Sequence, residues 1–430
     1  MKINFRKPLA TIFAAILTLT VVSTATAANN ETTSQDIYRI VALGDSISVG
    51  FEPTPEIIAE TSAPYGYVDR LYEQALFHSR SEFANYAIMG LTTPGLTKLL
   101  QGATDRKPLS SADLQDFSSF QAGVSKQADR IAALTPQLAT DLAKANLVVL
   151  TIGGNDFSSI VKDAIDISND KPIESARQII QDSFEIRMNE YTKDLDKMMS
   201  HLHELAPDAQ IVISDQYLPL FKGHPLYPVL VEAVNKLADK LDTFAIDLNQ
   251  KGIPVRIAHI STKFIGNEAS FTYFNAWEKY DTHPKQAGYE AIAQSFAEIV
   301  WKQYVKPAPR AADVPISVVI NGKEPPNKAV LLKGTTFLAL RDVANAVGAD
   351  LKWTQKTNTA IFSKNGREVI VTIGAKTIIV NGVTQPLETP AYFQQVGKEQ
   401  KTYVPLAVIS KGLDYQVIYS KKLNTAFINS

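Results

Sequence analysis

The stretch Tyr38-Arg39-Ile40-Val41-Ala42-Leu43-Gly44-Asp45-Ser46 joins an apolar, β-branched run to a glycine turn and then to a serine. A run that is apolar without alternation suits a strand covered on both faces, as in a parallel sheet. Four more runs share this texture: Phe83–Ile88, Leu147–Ile152, Gln210–Ser214 and Val255–Ile260. Helix-length segments alternate with them at Tyr67–His78, Val124–Lys144, Pro172–Leu205, Leu226–Leu248 and Lys285–Tyr304. Five strands with helical crossovers predict an α/β fold, a doubly wound flavodoxin-like parallel sheet with helices on both faces. Such sheets place their chemistry at the carboxyl ends of the strands.

Ser46 stands at the first of those ends. Glycine suits the tight turn, and a serine that opens the next helix has its hydroxyl among free N–H groups that favour negative charge. One Gly-Asp-Ser is a common turn. The other strand ends add Asn85-Tyr86-Ala87-Ile88-Met89-Gly90, then Gly153-Gly154-Asn155-Asp156, then Asp281-Thr282-His283-Pro284. A serine, a positioned glycine amide, an asparagine and an acid–histidine pair are the parts of an acyl-transfer site. Each residue alone has a structural reading: Asn155 as a helix cap, Gly90 as a turn glycine, Asp45 as a brace for the turn. With Asn155 read chemically, Asp156 takes the capping role.

Taken in order, these blocks resemble the GDSL, or SGNH, hydrolase family over about residues 36–305. Ser46 matches the family nucleophile, Gly90 the glycine of the second block, Asn155 the asparagine of the third, and His283 the histidine with its following proline. The resemblance implies a serine ester hydrolase, of lipase/acylhydrolase or carbohydrate-esterase type, working through an acyl-enzyme. It implies catalytic Ser46, His283 and Asp281, and an oxyanion hole built from the Ser46 and Gly90 amides and the Asn155 side chain. It implies no metal and no cofactor. The family usually has an aspartate three residues before the histidine. Here Tyr280 holds that place and Asp281 is two before, so either Asp281 or a backbone carbonyl orients His283. The implied partner is a small-molecule or polymer-borne ester. The alternative is a cell-surface or polysaccharide-binding protein whose hydrolase-like domain has weak or no activity, and the complete Ser46, Asn155 and His283 set argues against it.

The remaining histidines bring no metal site. His201 and His203 are two apart on a predicted helix and do not share a face, His224 reads as a loop residue, and His259 reads as a core histidine in the fifth strand. Tyr273, Phe274, Trp277 and Tyr280 precede the acid–histidine pair and suit either loop packing or the wall of a substrate pocket.

The chain begins with Lys2, Arg6 and Lys7, then the apolar run Leu9–Val22, then Ala25-Thr26-Ala27. Residues 1–28 read as a secretory signal, its apolar run too short for a membrane span, and the mature protein is expected to be secreted, with surface association through its C-terminal part. No later stretch suits a bilayer span. The absence of cysteine closes off disulfides, thiolate metal sites and a lipoprotein anchor. A formal net charge of −1 gives no sign of nucleic-acid binding.

Residues 306–315, KPAPRAADVP, read as a linker. Beyond it, residues 316–430 contain an internal repeat. Asn321-Gly322 recurs at Asn381-Gly382, Thr336–Leu340 at Thr402–Leu406, and Asn358-Thr359-Ala360 at Asn424-Thr425-Ala426. The second copy carries about six extra residues between the first and second matches. Each copy reads as strand, Asn-Gly turn, strand, short helix and strand pair, with the clearest helix at Leu340–Val347 closed by Gly348. This smaller α+β domain resembles the copper amine oxidase N-terminal-like, or stalk, domain through Asn321-Gly322-Lys323, Gly334-Thr335-Thr336, Leu340-Arg341-Asp342, Trp353 and Asn358-Thr359. Its second copy has Ala407 where the first has Arg341. No histidine follows His283, which excludes an imidazole copper site there.

Overall fold

Strand β1 (Tyr38–Gly44) lies between β2 (Ser81–Asn85) and β3 (Leu147–Thr151), followed by β4 (Gln210–Ser214) and β5 (Val255–Ala258). All neighbours are parallel, in the order β2-β1-β3-β4-β5. The protein is seen here in a computed structural model that describes residues 37–58, 62–170, 172–275 and 279–430. The segment read as a secretory signal lies outside the described residues.

The apolar runs are two-faced, as a period of two requires. Val41, Leu43, Val148, Leu150, Ile211 and Ile213 join one cluster, packed with the helices Thr93–Thr104, Ile173–Leu205 and Tyr227–Gln250. Ile40, Ala42, Leu147, Val149 and Val212 join a second, against the helices Tyr67–Leu76 and Gln286–Trp301. Between β1 and β3 the chain switches from one face to the other, and a crevice opens above their carboxyl ends.

Three expected boundaries move, each for a physical reason. The Val124–Lys144 segment is two helices, Ala122–Ala132 and Thr135–Leu142, because Pro136 at the start of the second cannot continue a helix. The ladder of β2 ends at Asn85. As an edge strand it exposes Glu82 and Phe83, and the apolar Tyr86-Ala87-Ile88 carries the chain on toward the crevice. His259 lies just past β5 rather than in it, with Nδ1 3.1 Å from Asp215 and Nε2 3.2 Å from Asp242. It is a clamp between two carboxylates, not a core histidine, and this pairing raises its pKa.

The C-terminal domain is built from β8 (Ser317–Ile320), β9 (Val330–Leu332), β10 (Thr335–Ala339), β11 (Asp350–Thr354), β12 (Thr359–Lys364), β13 (Arg367–Thr372), β14 (Thr377–Val380), β15 (Val383–Pro386), β16 (Tyr392–Val396), β17 (Glu399–Pro405), β18 (Gln416–Ser420) and β19 (Thr425–Asn429). They form three sheets, β16-β17-β10-β9, β11-β12-β13-β14-β15 and β18-β19-β8. The repeat is structural. Asn321-Gly322 and Asn381-Gly382 both turn with positive φ at the two positions, the signature of a type I′ turn. Helices Leu340–Val347 and Leu406–Gly412 follow β10 and β17. These equivalent strands pair antiparallel, with Leu338 opposite its own counterpart Val404, so the copies face each other about a local twofold. Most of the extra residues of the second copy fall in the β16–β17 hairpin, longer than its β9–β10 counterpart, and the rest between the Asn381-Gly382 turn and β16.

This domain docks on the end of the Tyr67–Leu76 helix. Leu76, Phe77, Val319 and Phe427 form a buried cluster, and the Gln416 side chain exchanges two hydrogen bonds with the Ser81 backbone at 3.0 and 2.9 Å. Burying each such apolar side chain is worth about 1.5–3 kcal/mol. The rim pair Arg80–Asp414, at 3.8 Å, contributes about 0–1 kcal/mol. Apolar packing therefore dominates the contact.

Candidate active site

Gly44 makes the turn out of β1 with φ +113, and a Cβ there would lie 2.1 Å from the Thr151 carbonyl oxygen. Only glycine lets the two central strands end this close together. Asp45 caps the following turn of helix. Its carboxylate accepts from the Ile47 amide and the Thr151 hydroxyl, both at 3.0 Å, and its own amide donates to the Thr151 carbonyl. Burial pushes the Asp45 carboxyl up to about 6 against these hydrogen bonds. Asp45 is thus the brace that the sequence suggested. Ser48 completes the knot with hydrogen bonds to Tyr67 and Thr151 at 2.8 and 2.9 Å.

Ser46 opens the helix Ser46–Val49. At four residues that helix has little macrodipole, so favour for an anion comes from its individual amide groups. The Ser46 Oγ lies 2.8 Å from His283 Nε2, and His283 Nδ1 lies 2.7 Å from Asp281 Oδ1. The same carboxylate oxygen accepts the His283 backbone N–H at 2.9 Å.

The spacing has a structural reason. Asp281 and His283 lie on β7 (Lys279–Pro284), which pairs antiparallel with β6 (Thr272–Asn275). The β6–β7 ladder is irregular at this point: Thr272 pairs with Pro284 and Phe274 with Tyr280, so residues 281–283 stand opposite Tyr273 alone, in a bulge. The bulge turns the chain so that the Asp281 carboxylate, two residues before His283, reaches both its backbone N–H and its ring. The Tyr217 hydroxyl donates to the Thr282 carbonyl at 2.7 Å and pins this strand to the β4 end. The Phe51 ring packs edge-on against the imidazole, centroids 4.8 Å apart.

Asn155 lies in the first turn of the helix Gly154–Asp170, and its Nδ2 donates to the Leu91 carbonyl at 2.9 Å. A side-chain amide has two N–H groups, so one remains. Asp156 does not cap its own helix. It accepts from the amide and hydroxyl of Thr93, the first residue of the Thr93–Thr104 helix that Thr92 caps, and so ties the loop after β2 to the loop after β3. Gly90 sits in that loop, braced by Gln115, whose amide donates to its carbonyl at 2.9 Å and accepts from Thr92.

A cavity of about 700 Å³ opens beside Ser46, Asn155 and His283. Beyond these three residues its walls are mainly apolar, including Phe157, Ile165, Phe184, Leu220, Leu230 and Val234. Gly90 is not among its lining residues. Phe274 lines the cavity, while Tyr273 turns aside to donate to Glu52 at 3.0 Å. Trp277 lies outside the described residues. Among the described residues no group of histidines and acids is placed to hold a metal ion.

Of the cavity walls the sequence pointed only to Phe274, and the helical walls and the Phe51 platform carried no signal of their own. Their residues come from many distant segments, and the only available signal was the apolar face of each helix, which a core shares.

Residues 42–291 match the model of the GDSL-like lipase/acylhydrolase family, and residues 319–428 match that of the copper amine oxidase N-terminal domain. No curated protein matches the chain. Among solved structures it is similar to a lipase from a goat rumen metagenome, at 17% identity over 60% of this chain and 95% of that one, with a TM-score of 0.38. Phospholipase A1 from Streptomyces albidoflavus is 18% identical over 62% and 99%, with a TM-score of 0.39. An extracellular lipase from Streptomyces rimosus is 20% identical over 62% and 99%, with a TM-score of 0.40.

Proposed function

Because the chain belongs to the GDSL-like lipase/acylhydrolase family, we propose that it hydrolyses carboxylic esters of apolar acyl chains, with Ser46, His283 and Asp281 as its catalytic triad. The apolar cavity opening at the Ser46 hydroxyl carries the reading of the substrate.

In the proposed mechanism His283 Nε2 takes the Ser46 proton as Oγ attacks the ester carbonyl. Asp281 holds the imidazole by Nδ1 and stabilises its charged form. The Ser46 and Gly90 amides and the second Asn155 N–H receive the oxyanion. The alcohol leaves with the proton from His283. Water, deprotonated by the same imidazole, then attacks the acyl-enzyme, and Ser46 regains its proton.

The acyl chain would lie in the cavity. Each methylene moved from water into such a wall is worth about 0.8 kcal/mol, close to a fourfold gain in kcat/KM. Across p-nitrophenyl esters from acetate to octanoate, kcat/KM is expected to rise by more than tenfold. A preference for acetate, with turnover of an acetylated glycan, would overturn the lipid reading in favour of a carbohydrate esterase.

We also propose that the protein is exported. The positive start, the apolar Leu9–Val22 run and Ala25-Thr26-Ala27 support this. N-terminal sequencing of secreted material is expected to begin at Ala28 or Asn29, just after the Ala25-Thr26-Ala27 site, and an intact Met1 would contradict it.

A further inference from the structure

We propose that the turn between β18 and β19 belongs to the scaffold of the active site, with Ser420 and Lys422 as positioning residues for His283. This rests on the proposed roles of Ser46 and His283.

The connection is continuous. Ser420 Oγ donates to Glu73 Oε1, and Glu73 Oε2 accepts from the Tyr65 hydroxyl at 2.7 Å. Lys422 Nζ stands 5.2 Å from the centre of the Tyr65 ring, and the Arg70 guanidinium lies 4.1 Å from it. Arg70 donates to the Tyr65 and Gly66 carbonyls, both at 3.1 Å, and to Gln286 Oε1 at 2.8 Å. The Gln286 amide donates to Glu52 Oε2 and to the Tyr65 carbonyl.

This network meets the catalytic imidazole from two sides. Gln286 begins the helix that follows His283 by three residues, and Glu52 follows Phe51, whose ring the imidazole packs against. Phe51 is itself held by its amide to the Ser46 carbonyl at 3.1 Å and by the Tyr289 hydroxyl on its carbonyl at 2.6 Å. On the other side Glu52 accepts from Tyr273 on β6, the partner of the strand that bears Asp281 and His283.

Charge balance explains why the C-terminal domain matters here. Glu73 is buried with Asp69 beside it, next to the guanidinium of Arg70, and Glu52 is buried on the far side of the Gln286 amide. Buried like charges repel strongly unless they are compensated. Lys422 brings a second cation and Ser420 a donor, both from the C-terminal domain. Without them the carboxylates would draw water or shift apart, and Arg70 and Gln286 would follow. A small displacement of a catalytic group is costly in rate.

The test uses the full chain. In Ser420→Ala/Lys422→Ala, kcat on a short p-nitrophenyl ester and the rate of fluorophosphonate inactivation are expected to fall about tenfold, with KM within twofold. Ser420→Thr/Lys422→Arg, which keeps the hydroxyl and the charge, should restore most of the loss. In a Gln286→Ala background the same pair of alanines should cost less than about twofold, because the path is already cut. An unchanged kcat in the first variant, or an equal loss in both backgrounds, would overturn the proposal. Wild-type protein that resists fluorophosphonate would instead overturn the reading of Ser46, so the two failures are distinct.

Discussion

Ser46→Ala is expected to abolish fluorophosphonate labelling and to lower kcat on p-nitrophenyl esters by about 10⁵-fold or more. The size follows from the geometry. The 2.8 Å contact with His283 Nε2 is the one of the proposed catalytic contacts that makes a nucleophile, and the nearby Ser48 hydroxyl is committed to Tyr67 and Thr151. His283→Ala is expected to cost nearly as much, and the double variant little more than either single one, because the two groups act as one unit. Asn155→Ala should behave differently. It keeps the nucleophile but loses an oxyanion donor, so labelling persists while kcat falls on the order of 100- to 1000-fold. Equal labelling of wild type and Ser46→Ala would refute the assignment. The alanine costs little stability, because the turn is held by Gly44, Asp45 and Thr151 rather than by the Ser46 hydroxyl.

Asp281→Asn is expected to lower kcat by about 10³- to 10⁴-fold without unfolding the protein. The carboxylate oxygen accepts from both the backbone N–H and the ring Nδ1 of His283. An amide in its place can present N–H to that ring and favour the tautomer in which Nε2 carries the proton, so that it cannot take one from Ser46. The β6–β7 hairpin keeps its ladder and its tie from Tyr217 to Thr282, so the loss should be catalytic rather than structural. A thermal transition near that of wild type, with kcat reduced, is the expected pair of results. Turnover within tenfold of wild type would mean that a Ser46–His283 dyad suffices.

Much of the architecture was legible along the chain. The five strands and most of the helices that cover them announce themselves because a parallel strand must be apolar on both faces, and a helix against it on one. Where the structure departs from the local pattern, a competing effect explains it. Pro136 splits a periodic helical segment. The apolar Tyr86-Ala87-Ile88 marks an approach to the site rather than the ladder of an edge strand. Asp156 reads locally as a cap for its own helix and instead accepts from Thr93 at the start of a neighbouring one.

The sequence by itself determined which residues arrive at the strand ends. Ser46, Gly90 and Asn155 follow turns that covalent order and local backbone chemistry dictate, so their motifs survive in one dimension, and His283 is marked by its neighbouring acid and the proline after it. It also determined the C-terminal repeat, because each copy needs the same Asn-Gly turn and the same helix. Only the tertiary structure decided what meets what. Asp281 reaches the imidazole from two residues away because the segment bulges out of a strand paired with β6, and that pairing is not written in the motif. The apolar cavity exists because several helices leave a gap between them, which no one helix encodes. The path from Ser420 to His283 crosses chain separations that only packing can close, since hydrogen bonds depend on distance in space and not along the chain.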